Sequence, residues 1–141
     1  MEGEILNSFG YVYRGQGKHE DALEMSRKAQ RIFRKTLGPD GTEVGNTIVC
    51  TAAVLKAQGK LAEAIDKYEE SLNVLRRAHG PEHPEVARIL YLMALCKEEI
   101  GDVAGAVACL REAQGINRSG GESHVPAEKV DALLAELEGG L

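Results

Sequence analysis

The chain predicts an all-α solenoid of three helix hairpins followed by a C-terminal capping helix, and three observations carry that expectation. Aromatics make up only 4% of the 141 residues, with no Trp and many Ala, whereas strands draw on aromatic and β-branched side chains. Apolar residues recur at the i, i+3, i+4, i+7 spacing that gathers them on one helix face. The third observation is self-similarity. Gly17, Gly59 and Gly101 stand 42 residues apart, and so do Ala22, Ala64 and Ala106, then Leu23, Ile65 and Val107, then Ala29, Ser71 and Ala113, then Ile32, Val74 and Ile116. A period of this size marks stacked supersecondary units rather than one closed core.

Each period holds two amphipathic helices, A and B, separated by a glycine. The A helices are expected over roughly 3–15, 43–57 and 85–99, and the B helices over roughly 19–36, 61–78 and 103–117. Gly17, Gly59 and Gly101 end the A helices, where a left-handed residue suits glycine. Gly38-Pro39 and Gly80-Pro81 end the B helices, and Pro84 opens the next A helix, where its missing N–H is harmless. Gly10, Ala52 and Ala94 on A, with Ala22, Ala64 and Ala106 on B, mark close approach within a hairpin. Leu6, Phe9, Tyr13, Ile48, Leu55, Leu90 and Met93 fill the layer between neighbouring hairpins.

The third period departs from the pattern. Residues 117–126 read as a polar, glycine-containing loop without the Gly-Pro pair. Val130, Leu133, Leu134 and Leu137 then match Val86, Ile89, Leu90 and Met93 at an offset of 44, with Glu138 standing where Ala94 would pack on a B helix. A polar-backed capping helix over about 126–138 is therefore expected, as a stacked array needs for solubility. The single domain 1–141 divides into repeats of about 3–38, 43–80 and 85–118 before that cap. The first helix carries no such cap, so the chain is expected to be part of a longer array or to have that face covered.

Charge and motifs narrow the function. With 17 Lys+Arg against 22 Asp+Glu the net charge is −5, which argues against a partner whose phosphates must be neutralised. The apolar runs are far short of the roughly 20 residues that span a bilayer, so no membrane is expected. Cys50, Cys96 and Cys109 form an odd, widely spaced set that reads as reduced, buried thiols in a cytoplasmic compartment. His79-Gly80-Pro81-Glu82-His83 fits the letters of a metalloprotease helix, but Gly80-Pro81 breaks any helix there, and the segment reads as a turn. Gly15-Gln16-Gly17-Lys18 lacks the spacing and the Ser or Thr of a phosphate loop. Asn117-Arg118-Ser119 has the form of a glycosylation sequon and reads as ordinary loop. The pairs Glu69-Glu70 and Glu98-Glu99 read as solvated surface, and Arg27, Lys28, Arg31, Arg34 and Lys35 as a solvated basic ridge on B1. No cofactor, no metal and no catalytic set is expected, and the chain reads as a non-enzyme.

At the 42-residue period and the string Gly80-Pro81-Glu82-His83-Pro84-Glu85-Val86, the chain resembles tetratricopeptide repeats of the long type found in kinesin light chains and nephrocystin-3-like proteins. The resemblance implies a right-handed superhelix whose A helices line a concave groove that binds protein segments. The stripe expected to face such a groove comprises Asn7, Tyr11 and Arg14 on A1, Asn46, Val49, Ala53 and Lys56 on A2, and Arg88, Tyr91, Leu92 and Leu95 on A3. Its apolar floor and basic rim of Arg14, Lys56 and Arg88 suit a partner segment with apolar anchors and acidic flanks. The paired asparagines that clamp a peptide backbone in kinesin-light-chain-like grooves are missing beyond Asn7, since the next repeats have Val49-Cys50 and Tyr91-Leu92. The alternatives are self-association through the uncapped N-terminal hairpin and a regulatory repeat region of a larger protein.

Overall fold

A computed structural model describes residues 18–39, 41–119 and 127–139 of the chain. Among these residues six helices follow one another: α1 His19–Leu37, α2 Thr42–Ala57, α3 Leu61–His79, α4 Pro84–Glu99, α5 Val103–Arg118 and α6 Ala127–Gly139. In the hairpin scheme α2 and α4 are A helices, α1, α3 and α5 are B helices, and α6 is the cap. The expected A1 helix over 3–15, with Leu6, Phe9, Gly10, Tyr13 and the glycine at 17, lies outside the described residues.

Glycine sets where α1, α2, α3 and α4 stop. Gly38, Gly59, Gly80 and Gly101 have φ of 90°, 79°, 90° and 89°, in the region that side chains avoid. At the A-to-B turns this closes a double backbone lock. Lys60 N–H donates to Leu55 O at 2.9 Å and Gly59 N–H to Lys56 O at 2.9 Å, and the same pair of bonds recurs at Asp102 and Gly101. Two helix starts, those of α4 and α5, carry side-chain caps. Asp102 Oδ1 accepts the Gly105 N–H at 2.9 Å, and Pro84 occupies the first turn of α4 while His83 Nδ1 accepts the Glu85 N–H at 3.1 Å.

The strong helix-to-helix packing pairs are all consecutive in sequence, from α1 on α2 through α5 on α6. Small residues sit at the closest approaches, with Ala22, Ala52, Ala64, Ala94 and Ala106 fully buried. Ile48, Leu55, Leu90 and Met93 fill the layers between them. A smaller cluster of Ala29, Phe33, Val44, Ile48 and Val74 continues the core at the first inter-repeat step. At the far end Val130, Leu134 and Leu137 of α6 are buried against the main cluster while its outer face stays polar. Glu138, displaced from the role of Ala94, turns instead to Arg111 of α5 at 3.1 Å, and Gln114 donates to Asp131 at 2.8 Å.

One size relation repeats inside the hairpins. A methyl group placed at Gly45 would lie 2.9 Å from Leu75 Cδ2 and 3.0 Å from its Cγ, so glycine is what admits the leucine. Forty-two residues on, the A helix carries Ala87 instead, and the B helix has exchanged the leucine for the smaller Asn117. Asn117 lies within α5 rather than opening a loop, and both its amide atoms are shielded from solvent without a hydrogen-bond partner among the described residues. The reading of Asn117 as ordinary loop is corrected by its place in α5.

Of the acidic pair Glu69-Glu70, Glu69 is exposed as expected and the part-exposed Glu70 also carries ion pairs. Glu70 accepts from Arg34 of α1 at 3.2 Å and from Lys67 at 3.1 Å, tying one B helix to the next. Arg76 of α3 bonds Glu112 of α5 in the same register, 42 residues along on both sides.

Candidate functional site

The A helices α2 and α4 carry the described part of the expected groove, and they expose it unequally. In α2, ten of sixteen residues are buried, leaving almost no free face. Val49, expected on the groove floor, is 4% exposed and belongs to the main core cluster. The helix is packed between α1 and α3, so a residue one stripe from the hairpin contact is still covered. Cys50 is fully buried, its sulfur accepting the Ser26 hydroxyl at 3.2 Å. Asn46, Ala53 and Lys56 remain half-buried.

α4 leaves more of its stripe accessible. Arg88, Tyr91, Leu92 and Leu95 are each half-buried, and Tyr91 and Leu92 rest on the main core. Their inner atoms are thus fixed by packing while their outer atoms face outward, an arrangement suited to contact with a second apolar surface. Asn7, Tyr11 and Arg14 lie outside the described residues.

The rim is less basic than the sequence suggests. Arg88 is held by Glu85 one turn earlier, through Nε at 3.2 Å and Nη2 at 3.1 Å, so its charge is balanced. The i, i+3 spacing of Glu85 and Arg88 was the available signal for that pairing. Lys56 has no ion pair among the described residues. Its charge acts on the Cys96 thiol of α4, partly opposing the burial that pushes this thiol above its ordinary value. Burial likewise raises the Cys109 thiol, against the pull of nearby Lys97. Both shifts favour the protonated thiol, the poorer nucleophile.

The histidines of the 79–83 segment have structural partners. His79 Nε2 and Thr42 Oγ1 are 2.9 Å apart, His83 caps α4, and the two rings stack with centroids 4.3 Å apart. Among the described residues no group of three or more His, Cys, Asp or Glu side chains is placed to hold a metal ion, and no helix is long and apolar enough to cross a membrane. On α1 the basic ridge is partly neutralised, with Lys28 on Glu24 at 3.1 Å and Arg34 on Glu70.

The repeat geometry has recognisable relatives. A tetratricopeptide repeat profile matches residues 43–119, and a second matches residues 4–43. The chain belongs to the tetratricopeptide repeat family. Members of that family serve as protein-interaction scaffolds. Among solved structures, BtubC (BKLC) from P. vanneervenii is similar over 97% of this chain at 18% identity and a TM-score of 0.88. A Podosopora anserina protein described as a kinesin light chain with nearly identical repeats is similar over 95% at 21% identity and a TM-score of 0.79. The tetratricopeptide chain spans 55% and 64% of the lengths of these two proteins. PcrH, in complex with the chaperone binding region of PopD, is similar over 96% of this chain and 90% of its own at 17% identity and a TM-score of 0.75. No curated protein sequence matches the tetratricopeptide chain.

Proposed function

We propose that the chain is a non-enzymatic scaffold that holds a short segment of a partner protein against the concave face, with α4 supplying most of the contact. The observation that carries this reading is the stripe of Arg88, Tyr91, Leu92 and Leu95, part-exposed over a packed core on an A helix. Partner side chains that desolvate against Tyr91, Leu92 and Leu95 contribute roughly 1 to 3 kcal/mol each, which suits an exchangeable contact of micromolar strength. Among the described residues Lys56 supplies the unbalanced rim charge, so a carboxylate beside the apolar anchors is the favoured flank. Capture of a peptide region by PcrH, a fold relative, supports the same mode of use.

The test is co-purification of a partner from source lysate by wild type and by two variants, Leu95→Asp and Lys56→Glu, with melting curves run in parallel. Capture is expected to fall at least about tenfold for Leu95→Asp and less for Lys56→Glu, with little change in Tm. Equal capture by all three proteins refutes the groove.

A further inference from the structure

A second surface lies on α1, away from the A-helix stripe. Residues 25–37 carry five cations, Arg27, Lys28, Arg31, Arg34 and Lys35, and no carboxylate, in a chain whose net charge is −5. Cations near a helix C-terminus offset its dipole, but that effect dies away within the last turn. It accounts for Arg34 and Lys35, whereas Arg27 stands more than two turns before Leu37. Lys28 is held by Glu24 at 3.1 Å. Arg34 shares Glu70 with Lys67, so one carboxylate serves two cations there. Arg27 and Arg31 are exposed, and neither makes an ion pair or hydrogen bond among the described residues.

Arg27, Gln30, Arg31 and Arg34 together border an open depression of about 300 Å³. Their spacing of i, i+3, i+4 and i+7 marks the four corners of one hole on a helix surface, the place where a side chain of an opposing segment enters. Three of the corners are guanidiniums, whose forked N–H groups suit a carboxylate. The repeat shows that A helices leave this face open. At the corresponding places Glu69 and Asn73 of α3 and Arg111 and Gly115 of α5 are exposed, although α3 packs between α2 and α4, and α5 between α4 and α6. The run of three arginines is particular to α1, since α3 has Glu69, Asn73 and Arg76 there and α5 has Arg111, Gly115 and Arg118. Carboxylates bound the ridge. Glu20 and Glu24 continue the same stripe toward the start of α1, and Glu70 lies across from it on α3. A short cationic patch so bordered fits a short acidic segment and repels a long polyanion, whose further charges would run over those carboxylates.

We infer that the α1 ridge docks a short acidic segment of a partner protein, with one carboxylate seated between Arg27, Arg31 and Arg34 and a second about one helical turn further along, toward Lys35. The inference is independent of the groove, which is built on A helices.

The probe is a labelled, alanine-based helical peptide with glutamates at i and i+4 on one face, followed by fluorescence anisotropy as the full chain is titrated from about 1 µM to about 1 mM. Wild type is expected to bind it at low salt and to release it as the ionic strength rises toward molar. A peptide with glutamine in place of each glutamate is expected not to bind. Arg27→Gln combined with Arg31→Gln is expected to bind the acidic peptide about tenfold more weakly, with an unchanged melting curve. Arg118→Gln combined with Lys129→Gln removes the same charge from α5 and α6 and is expected to bind as wild type does. An oligonucleotide of the same formal charge as the peptide is expected to bind more weakly than the peptide. The inference is overturned if wild type does not bind the acidic peptide, if the glutamine peptide binds equally, if the two double variants bind alike, or if the oligonucleotide binds more tightly. It is also overturned if sedimentation velocity shows the chain alone associating in a way that Arg27→Gln with Arg31→Gln abolishes, which would assign the ridge to a second copy.

Discussion

The size exchange inside the hairpins permits a quantitative test at Asn117. Replacing Asn117 by Leu removes two shielded amide atoms that lack partners among the described residues, a gain of about 1 to 3 kcal/mol. The new leucine, however, meets Ala87, the position at which the preceding hairpin has Gly45 because a methyl would come within 2.9 Å of Leu75. Overpacking of that kind costs about 1 to 3 kcal/mol, so Asn117→Leu alone is expected to change stability little. Ala87→Gly alone loses helix propensity and a fully buried methyl, a destabilisation of about 1 to 2 kcal/mol. Combined, the two substitutions recreate the Gly45 and Leu75 arrangement, and the double variant should exceed the sum of the singles by about 1 to 2 kcal/mol. The four proteins of the cycle are compared by urea unfolding followed by circular dichroism, with thermal melts as a second reading at roughly 3 °C per kcal/mol. Additivity within about 0.5 kcal/mol would refute the steric reasoning, as would a large loss for Asn117→Leu that Ala87→Gly does not relieve.

Two further outcomes follow from the charged and sulfur-bearing groups. The bonds between B helices, Arg34 to Glu70 and Arg76 to Glu112, are part-exposed, so a double-mutant cycle on either should give a coupling of only about 0.2 to 1 kcal/mol, falling toward zero in molar salt. A coupling that is large and insensitive to salt contradicts this. The thiols of Cys96 and Cys109 are raised by burial, so the folded state holds their protons more tightly than the unfolded state does. Their contribution to stability is complete below the ordinary thiol value and is lost as the pH climbs through the folded-state values. Denaturation midpoints should decline on the alkaline side, and Cys96→Ala with Cys109→Ala should flatten that decline, whereas an unchanged alkaline slope in the double variant excludes the thiols as its source.

Much of the fold was legible because its punctuation is chemical. Each described helix begins and ends within one residue of the range expected from the repeat, since glycine with positive φ and proline at a helix start leave the chain little choice. Close-packed alanines and the capping helix were readable for the same reason, being fixed by a register that recurs. The site was less legible. Val49 is apolar in either setting, and only the packing of α2 between two neighbours makes it core. Arg88 reads as rim charge until Glu85 is seen to hold it, and Glu70 reads as solvated until α1 and α3 are brought side by side. The bonds between B helices left a trace that periodicity could have found, because Arg34 and Arg76, like Glu70 and Glu112, are 42 residues apart. The unpartnered amide of Asn117 left a subtler one, in the covariation of Gly45 with Leu75 and of Ala87 with the asparagine.

The strong packing pairs join only neighbours along the chain. Ordering one hairpin therefore closes short loops alone, which keeps the entropic toll of folding low and its rate high. The same topology removes any long-range clasp that would make the whole array melt as one unit. Cohesion passes from each helix to the next, like adhesion in a stack of coins, and a helix at the end of the stack has a neighbour on one side only. α6 is in that position among the described helices, held by Val130, Leu134 and Leu137 and by the Arg111 to Glu138 pair. On the proposed mode of binding, fraying that starts at α6 is expected to expose the apolar face of α5 first and to leave the α4 stripe in place.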